Sequence, residues 1–143
     1  MKFLWVTEQN GFEGCRFVRK KVFVEEQGFR EDSEFDETDH TAMHLLVTDE
    51  EKPVAAARLF PKGNAAGVWQ LGRICVLKEY RGTGLGAAVL SEAEQKAKTL
   101  GAVRVELGAQ QRASGFYEKC GYQVCGEEYM DEFCPHVEMG KDL

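Results

Sequence analysis

Two hydrophobic periods alternate along the chain. Cys15, Val18 and Val22 recur at helical spacing within Phe12 to Gln27, which predicts a helix with one apolar face, ended by Gly28. Lys2 to Thr7, ahead of it, reads as a short edge strand. His44 to Thr48 and Val54 to Phe60 are apolar-rich runs joined by Asp49-Glu50-Glu51-Lys52-Pro53, the pattern of a hairpin with a polar turn. A second turn, Lys62 to Gly67, leads into Val68 to Leu77, so three successive antiparallel strands are expected. The period then changes. Leu85, Val89, Ala93, Ala97 and Leu100 mark an amphipathic helix from Leu85 to Leu100, closed by Gly101. Val103 to Leu107 has the pattern of a buried strand, Ala113 to Cys120 that of a short helix closed by Gly121, and Tyr122 to Tyr129 and Val137 to Met139 those of closing strands.

The resulting order, β-α-β-β-β-α-β-α-β-β, is α+β, with no internal repeat. At 143 residues it fits a single domain, 1–143, able to bury roughly two-thirds of the surface of its unfolded chain. Lys and Arg number 18 against 24 Asp and Glu, a formal charge of -6, which argues against nucleic acid as a partner because phosphate neutralisation needs basic side chains. No apolar run is long enough to span a bilayer, and Met1 to Gln9 lacks the pattern of a signal peptide, so no membrane partner and a cytoplasmic location are expected. The five cysteines, Cys15, Cys75, Cys120, Cys125 and Cys134, are odd in number and without C-x-x-C spacing, which reads as reduced thiols and gives no metal site.

Two segments stand out chemically. Glu25 to Asp39 holds eight carboxylates and one base, Arg30, without periodicity. It reads as a loop with at most a helical turn; such a run is usually solvated, and its field could also draw in a cationic substrate. Arg81-Gly82-Thr83-Gly84-Leu85-Gly86 lies between a strand and a helix, where glycines allow tight turns and the helix start offers N–H groups to an anion. A P-loop is excluded because Ala87, not Lys, follows Gly86. A dinucleotide loop is the better decoy, since Gly82 to Ala87 fits G-x-G-x-x-A and Glu106 follows about 20 residues on. That reading predicts NAD binding dependent on Glu106. Against it stand the residues Lys78 to Arg81 between strand and loop, the antiparallel hairpins before it, and the short stretch left after Glu106.

The loop resembles the Q/R-x-x-G-x-G/A pyrophosphate loop of the GNAT superfamily of N-acetyltransferases, preceded by the strand Leu71 to Leu77. Downstream, Gly115-Phe116-Tyr117-Glu118-Lys119-Cys120-Gly121-Tyr122 resembles the same superfamily's F-Y-E-K-x-G-F segment. Val22-Phe23-Val24-Glu25-Glu26-Gln27 and Cys134-Pro135-His136-Val137-Glu138-Met139 are similar to segments of its ElaA-like branch, so the resemblance covers nearly the whole chain.

The resemblance implies a mixed, mostly antiparallel central sheet flanked by helices, with a cleft for acetyl-CoA, the co-substrate, where two strands splay apart. It implies that the backbone of Ile74, Cys75 and Val76 pairs with the pantetheine amides, and that the N–H groups of Arg81, Gly82, Thr83, Gly84, Leu85 and Gly86 hold the pyrophosphate. An N–H of Ile74 or Cys75 would hold the oxyanion. Tyr117 would protonate or hydrogen-bond the departing thiolate, although a tyrosine there could also simply pack the short helix. Many members carry Asn where this chain has Gly108-Ala109-Gln110-Gln111, and Gln110 takes that place. The strand Val68 to Leu77 has no carboxylate to serve as general base. Glu26, Asp36 and His136 are the substitutes, each with a structural alternative: a solvated helix residue, a loop acid and a satisfied polar residue. The implied activity is direct acetyl transfer to the amine of a small molecule or protein, with a non-catalytic acyl-CoA-binding module as the alternative. Cys75 reads as a small core residue rather than a nucleophile, and exposed strand edges allow a homodimer.

Overall fold

The computed structural model describes residues 1–63 and 65–143; Asn64, in the expected turn from Lys62 to Gly67, lies outside the described residues. The elements are β1 (Lys2–Val6), α1 (Glu13–Arg19), α2 (Glu31–Glu34), β2 (Met43–Asp49), β3 (Lys52–Pro61), β4 (Val68–Val76), α3 (Leu85–Thr99), β5 (Arg104–Gln110), α4 (Ser114–Lys119), β6 (Gln123–Asp131) and β7 (Cys134–Asp142). The strands form one seven-stranded sheet in the order β1-β2-β3-β4-β5-β7-β6. All pairs are antiparallel except β4 and β5. This is the mixed, mostly antiparallel α+β sheet that the sequence implies, with β1 at one edge and β6 at the other.

Several boundaries differ from the pattern for local reasons. The first helix runs on from α1 as a widened π-type segment, Lys20–Glu26, before Gly28 ends it at φ +86°. The hairpin between β2 and β3 turns on Glu50 and Glu51, both left-handed at φ 48° and 73°, a turn twist that matches the strands. Strands β6 and β7 are longer than their apolar positions suggest, because every residue of β6 is exposed and carries no alternation to read. No helix among the described residues is long and apolar enough to cross a membrane.

The core is centred on β3, whose residues Val54 to Leu59 are buried without a break, so both of its faces are covered. Helices α1 and α3 both pack on this strand. Leu85, Val89, Leu90, Ala93 and Ala97 supply the buried stripe of α3, and the Trp5 indole fastens β1 to that helix by donating to Glu92 Oε2 at 3.1 Å.

The acidic segment departs in part from the expectation of a solvated loop: Glu31, Asp32 and Glu37 are exposed, but others are not. Its residues Glu34, Asp36 and Asp39 meet three arginines from three other elements. Arg19 of α1, 1% exposed, donates to Glu34 Oε2 at 2.9 Å and to Asp39 Oδ1 at 2.8 Å. Arg58 of β3 donates to Asp36 at 2.7 Å and Asp39 at 3.0 Å. Arg73 of β4 reaches Glu34 Oε2 at 3.1 Å and Asp36 Oδ2 at 3.2 Å. A sequence pattern cannot reveal this, since the partners lie far along the chain. The charges balance, so these acids hold the fold together rather than project a field towards a cationic substrate.

Burial pushes the Asp39 carboxyl up, but hydrogen bonds and charge from Arg19 and Arg58 outweigh it and hold the group below the usual carboxylate range. Its stabilising effect is therefore full above the ordinary Asp value of about 4 and is lost as the pH falls through the lower folded value. Asp39→Asn should cost about 3 kcal/mol at neutral pH, because two buried guanidinium contacts lose their counter-charge. Urea titrations should show that deficit shrinking as the pH is lowered from 6 towards 3; a deficit independent of pH would contradict this role.

Candidate active site

The parallel pair β4 and β5 stays in register only from Val68 to Leu71 against Arg104 to Leu107. Beyond that point β4 remains on β3 while β5 continues with β7, and the strands separate. A bulge marks the place: between the pairs Arg58–Gly72 and Ala56–Cys75, two residues of β4, Arg73 and Ile74, face one residue of β3, Ala57. Arg73 adopts φ +50°, an unfavourable angle for a side chain with a Cβ. Its guanidinium also donates to the Glu34 carbonyl at 3.2 Å, so the strained residue is anchored on the ion network. A cleft of about 790 Å³ opens along the gap.

One end of the cleft is the glycine loop. Gly82 and Gly84 have φ +77° and +85°, and no atom lies within 4 Å of where their side chains would begin. A Cβ at Gly86 would lie 3.2 Å from Phe116 Cζ, so this glycine lets α4 approach. Helix α3 has no side-chain cap at Gly84, and its first helical bond runs from Ala88 N–H to Gly84 O at 3.1 Å. The N–H groups before Ala88 are left to point at the cleft, as an anion site requires. The Arg81 side chain faces another task. It holds Glu26 through two bonds of 2.6 and 2.8 Å and donates to the Val76 carbonyl at 3.0 Å, fastening the first helix to the loop.

The wall beyond the loop is the free edge of β4. Leu77 N–H bonds to Val54 O at 2.9 Å, so strand alternation turns Cys75 towards Ala56 of β3 and Val76 towards the cleft. Of the three residues expected to present backbone to a ligand, Cys75 is therefore spent within the sheet, and its N–H is not free for an oxyanion. Burial also pushes the Cys75 thiol far above its ordinary value, so it stays protonated and is no nucleophile. Tyr117 of α4, 8% exposed, forms part of the same wall between the rings of Phe116 and Tyr122, with centroids at 5.1 and 6.0 Å. Burial raises its phenol well above the usual range, so it remains a donor.

The family model for the acetyltransferase (GNAT) domain matches residues 8–143. This chain belongs to that GNAT family. It is 38% identical over 143 residues to the Bacillus subtilis protein named as the uncharacterized N-acetyltransferase YjcF, covering 99% of this chain and 100% of the relative. A crystal structure of a candidate N-acetyltransferase from Lactobacillus plantarum superposes with a TM-score of 0.90 at 33% identity, covering 99% of this chain and 97% of that one. Escherichia coli ElaA shares the fold, with a TM-score of 0.84 at 24% identity over 98% of each chain.

The GNAT cleft sorts the remaining expected residues. Gln110 lines it, with its amide donating to Gln27 Oε1 at 2.8 Å and accepting from Arg112 at 3.1 Å. Glu26 is held by Arg81, chiefly through their hydrogen bonds, below the usual carboxylate range; it is an exposed helix residue, as expected of the structural alternative, that also tethers the glycine loop. Asp36 is committed to Arg58 and Arg73. His136 differs from both. It lines the cleft, its Nδ1 lies 2.9 Å from the Cys134 carbonyl, and its ring stacks on Tyr129 at 5.5 Å. Because a carbonyl only accepts, Nδ1 carries a proton, so in the neutral ring the lone pair is on Nε2. Glu106, the acid of the dinucleotide decoy, is bound by Lys62 and by Arg104 at 2.8 Å, which leaves it no ribose-binding role.

Sequence reasoning missed Arg58, Gln70, Arg73 and Tyr129, all of which line the cleft. All four sit on strands, and the isolated polar residues Arg58, Gln70 and Arg73 within otherwise apolar runs were the available signal. Gly82→Asp should leave the fold intact, since Asp tolerates a left-handed backbone and the space is open. It places a carboxylate where an anion would rest, so thermal stabilisation by CoA should be lost; unchanged stabilisation would remove the loop from the binding site.

Proposed function

We propose that the protein is an N-acetyltransferase that passes the acetyl group of acetyl-CoA directly to an amine. The observation that carries this reading is the co-occurrence, along one splayed strand edge, of uncapped helix N–H groups at one end and a buried phenol in the wall. A diphosphate suits the first, an amide-bearing arm suits the exposed edge of β4, and a thioester sulfur suits the third. Membership of the GNAT family supports acyl transfer in general.

In this reading His136 Nε2 takes the proton as the amine becomes a nucleophile. The amine lone pair attacks the acetyl carbon, the carbonyl electrons move to oxygen, and collapse of the tetrahedral intermediate expels the thiolate. Tyr117 stabilises that thiolate by a hydrogen bond. Full proton transfer is unfavourable, because a phenol pushed above its ordinary value is a weaker acid than a thiol of about 8.5. The proton reaches CoA from the imidazolium or solvent. The protonated Cys75 fits transfer without an acyl-enzyme.

Tyr117→Phe should lower kcat by about tenfold to a hundredfold through loss of one hydrogen bond to charge, with the dissociation constant of acetyl-CoA unchanged. His136→Gln should lower kcat by about a hundredfold or more, again without loss of cofactor binding. Stopped-time assays of released CoA thiol with calorimetric binding separate the two effects. Tight binding with no thiol release over a broad amine panel in the wild type would instead identify an acyl-CoA-binding module.

A further inference from the structure

His136 has a neighbour on each side in the sheet. Its register partners are Gln110 on β5 and Tyr129 on β6, and residues directly opposite one another share a face. All three line the cleft. The Gln110 amide is bonded to Gln27 and Arg112, so that neighbour does not hold the imidazole. Tyr129 does. Its ring lies on the imidazole with centroids 5.5 Å apart and 30° between the planes, in the range of an offset stack. The bond between Nδ1 and the Cys134 carbonyl fixes one atom of the imidazole, and a ring held at one atom can still rock about it. The stack fixes its plane.

Tyr129 needs support of its own, because every residue of the edge strand β6 is exposed and the strand slips register on β7 between Val124 and Glu128. That support is β5. Gly108 pairs with Glu138, two residues along β7 from His136, so the tyrosine runs diagonally over β7 and lays the far end of its ring above Gly108. A Cβ at Gly108 would collide with the Tyr129 hydroxyl oxygen, yet it would lie 3.4 Å from Tyr129 Cζ and 3.6 Å from Glu138 Oε2, which are ordinary contacts. Gly108 lies outside the left-handed region, so this glycine supplies space rather than an unusual backbone angle.

We infer that Tyr129 is the positioning residue for His136, with Gly108 as the space that admits it. The inference rests on the reading of His136 as the base and adds the side chain that aims it. A base must be aligned with the amine it serves, and misplacement by about an ångström costs about a hundredfold in rate. The ring carries the effect and the hydroxyl does not, since the stack is made by the ring alone.

Four variants test this: Tyr129→Leu, Tyr129→Phe, Gly108→Ala, and Gly108→Ala combined with Tyr129→Phe. Tyr129 is 44% exposed, so its variants should fold. Tyr129→Leu and Gly108→Ala should each lower kcat for thiol release by about tenfold to a hundredfold, with the dissociation constant of CoA unchanged. Tyr129→Phe keeps the ring and should rescue kcat to within a few-fold of the wild type. The combined variant should recover most of the Gly108→Ala loss, because without the hydroxyl the added methyl group meets only ordinary contacts. In NMR spectra the His136 ring protons, identified by their loss in His136→Gln, should shift in Tyr129→Leu and Gly108→Ala as the stacked ring is withdrawn, and hold their place in Tyr129→Phe. Wild-type kcat in Tyr129→Leu, a Phe variant as slow as the Leu variant, or a Gly108→Ala loss that the combined variant does not recover would overturn the inference. If no amine releases thiol, or His136→Gln leaves release unchanged, the base reading falls, and the spectra alone judge the positioning: shifted His136 signals in Tyr129→Leu support it, and unmoved signals reject it.

Discussion

Strand β4 can leave β5 because it stays paired with β3, and Arg73, at the bulge, ties it also to the buried ion network. The residue stands in a bulge at a left-handed angle, a conformation that persists in a side-chain-bearing residue only when its surroundings fix it. Here they do so through Glu34 and Asp36, which Arg19 and Arg58 fix in turn. Replacing a buried ion cluster by apolar residues can be neutral for stability, so burial of charge is weak evidence for a stabilising purpose. The network's geometric effect is more specific. It ties α1, the short acidic segment, β3 and the bulge of β4 into one unit beside the cleft.

The two ends of the cleft follow from different physics. At the glycine loop the backbone makes the surface: left-handed glycines turn the chain, and the start of α3 has no side-chain cap. The Arg81 side chain serves that end indirectly, by clamping Glu26 and the Val76 carbonyl, so the first helix and the loop move together. At the far end side chains line the cleft, on the polar face formed by β3, β4, β5 and β7. His136, oriented by the Cys134 carbonyl and by Tyr129, stands there with Arg58 and Gln70. Tyr117 lies in the wall along this line.

Much of this was legible because it is local. The glycine loop, the period of α3, the three antiparallel strands and the segment around Tyr117 each carry their signal within a few residues. Boundaries slipped where alternation is absent, as along the wholly exposed β6. The acidic segment was legible as a loop with a helical turn, but not its ion pairs, because the guanidinium groups that engage Glu34, Asp36 and Asp39 arrive from residues 19, 58 and 73. The three base candidates likewise had equal standing until their partners were known: Arg81 holds Glu26, two arginines hold Asp36, and His136 is bonded to a backbone carbonyl rather than to an arginine.

The most direct measurement is a crystal structure of the protein grown with CoA. The pantetheine arm should lie along the open edge of β4, the pyrophosphate against the N–H groups from Gly82 to Gly86, and the thiol within hydrogen-bond distance of the Tyr117 hydroxyl. CoA bound elsewhere, or in the cleft with its sulfur turned away from Tyr117, would contradict this placement.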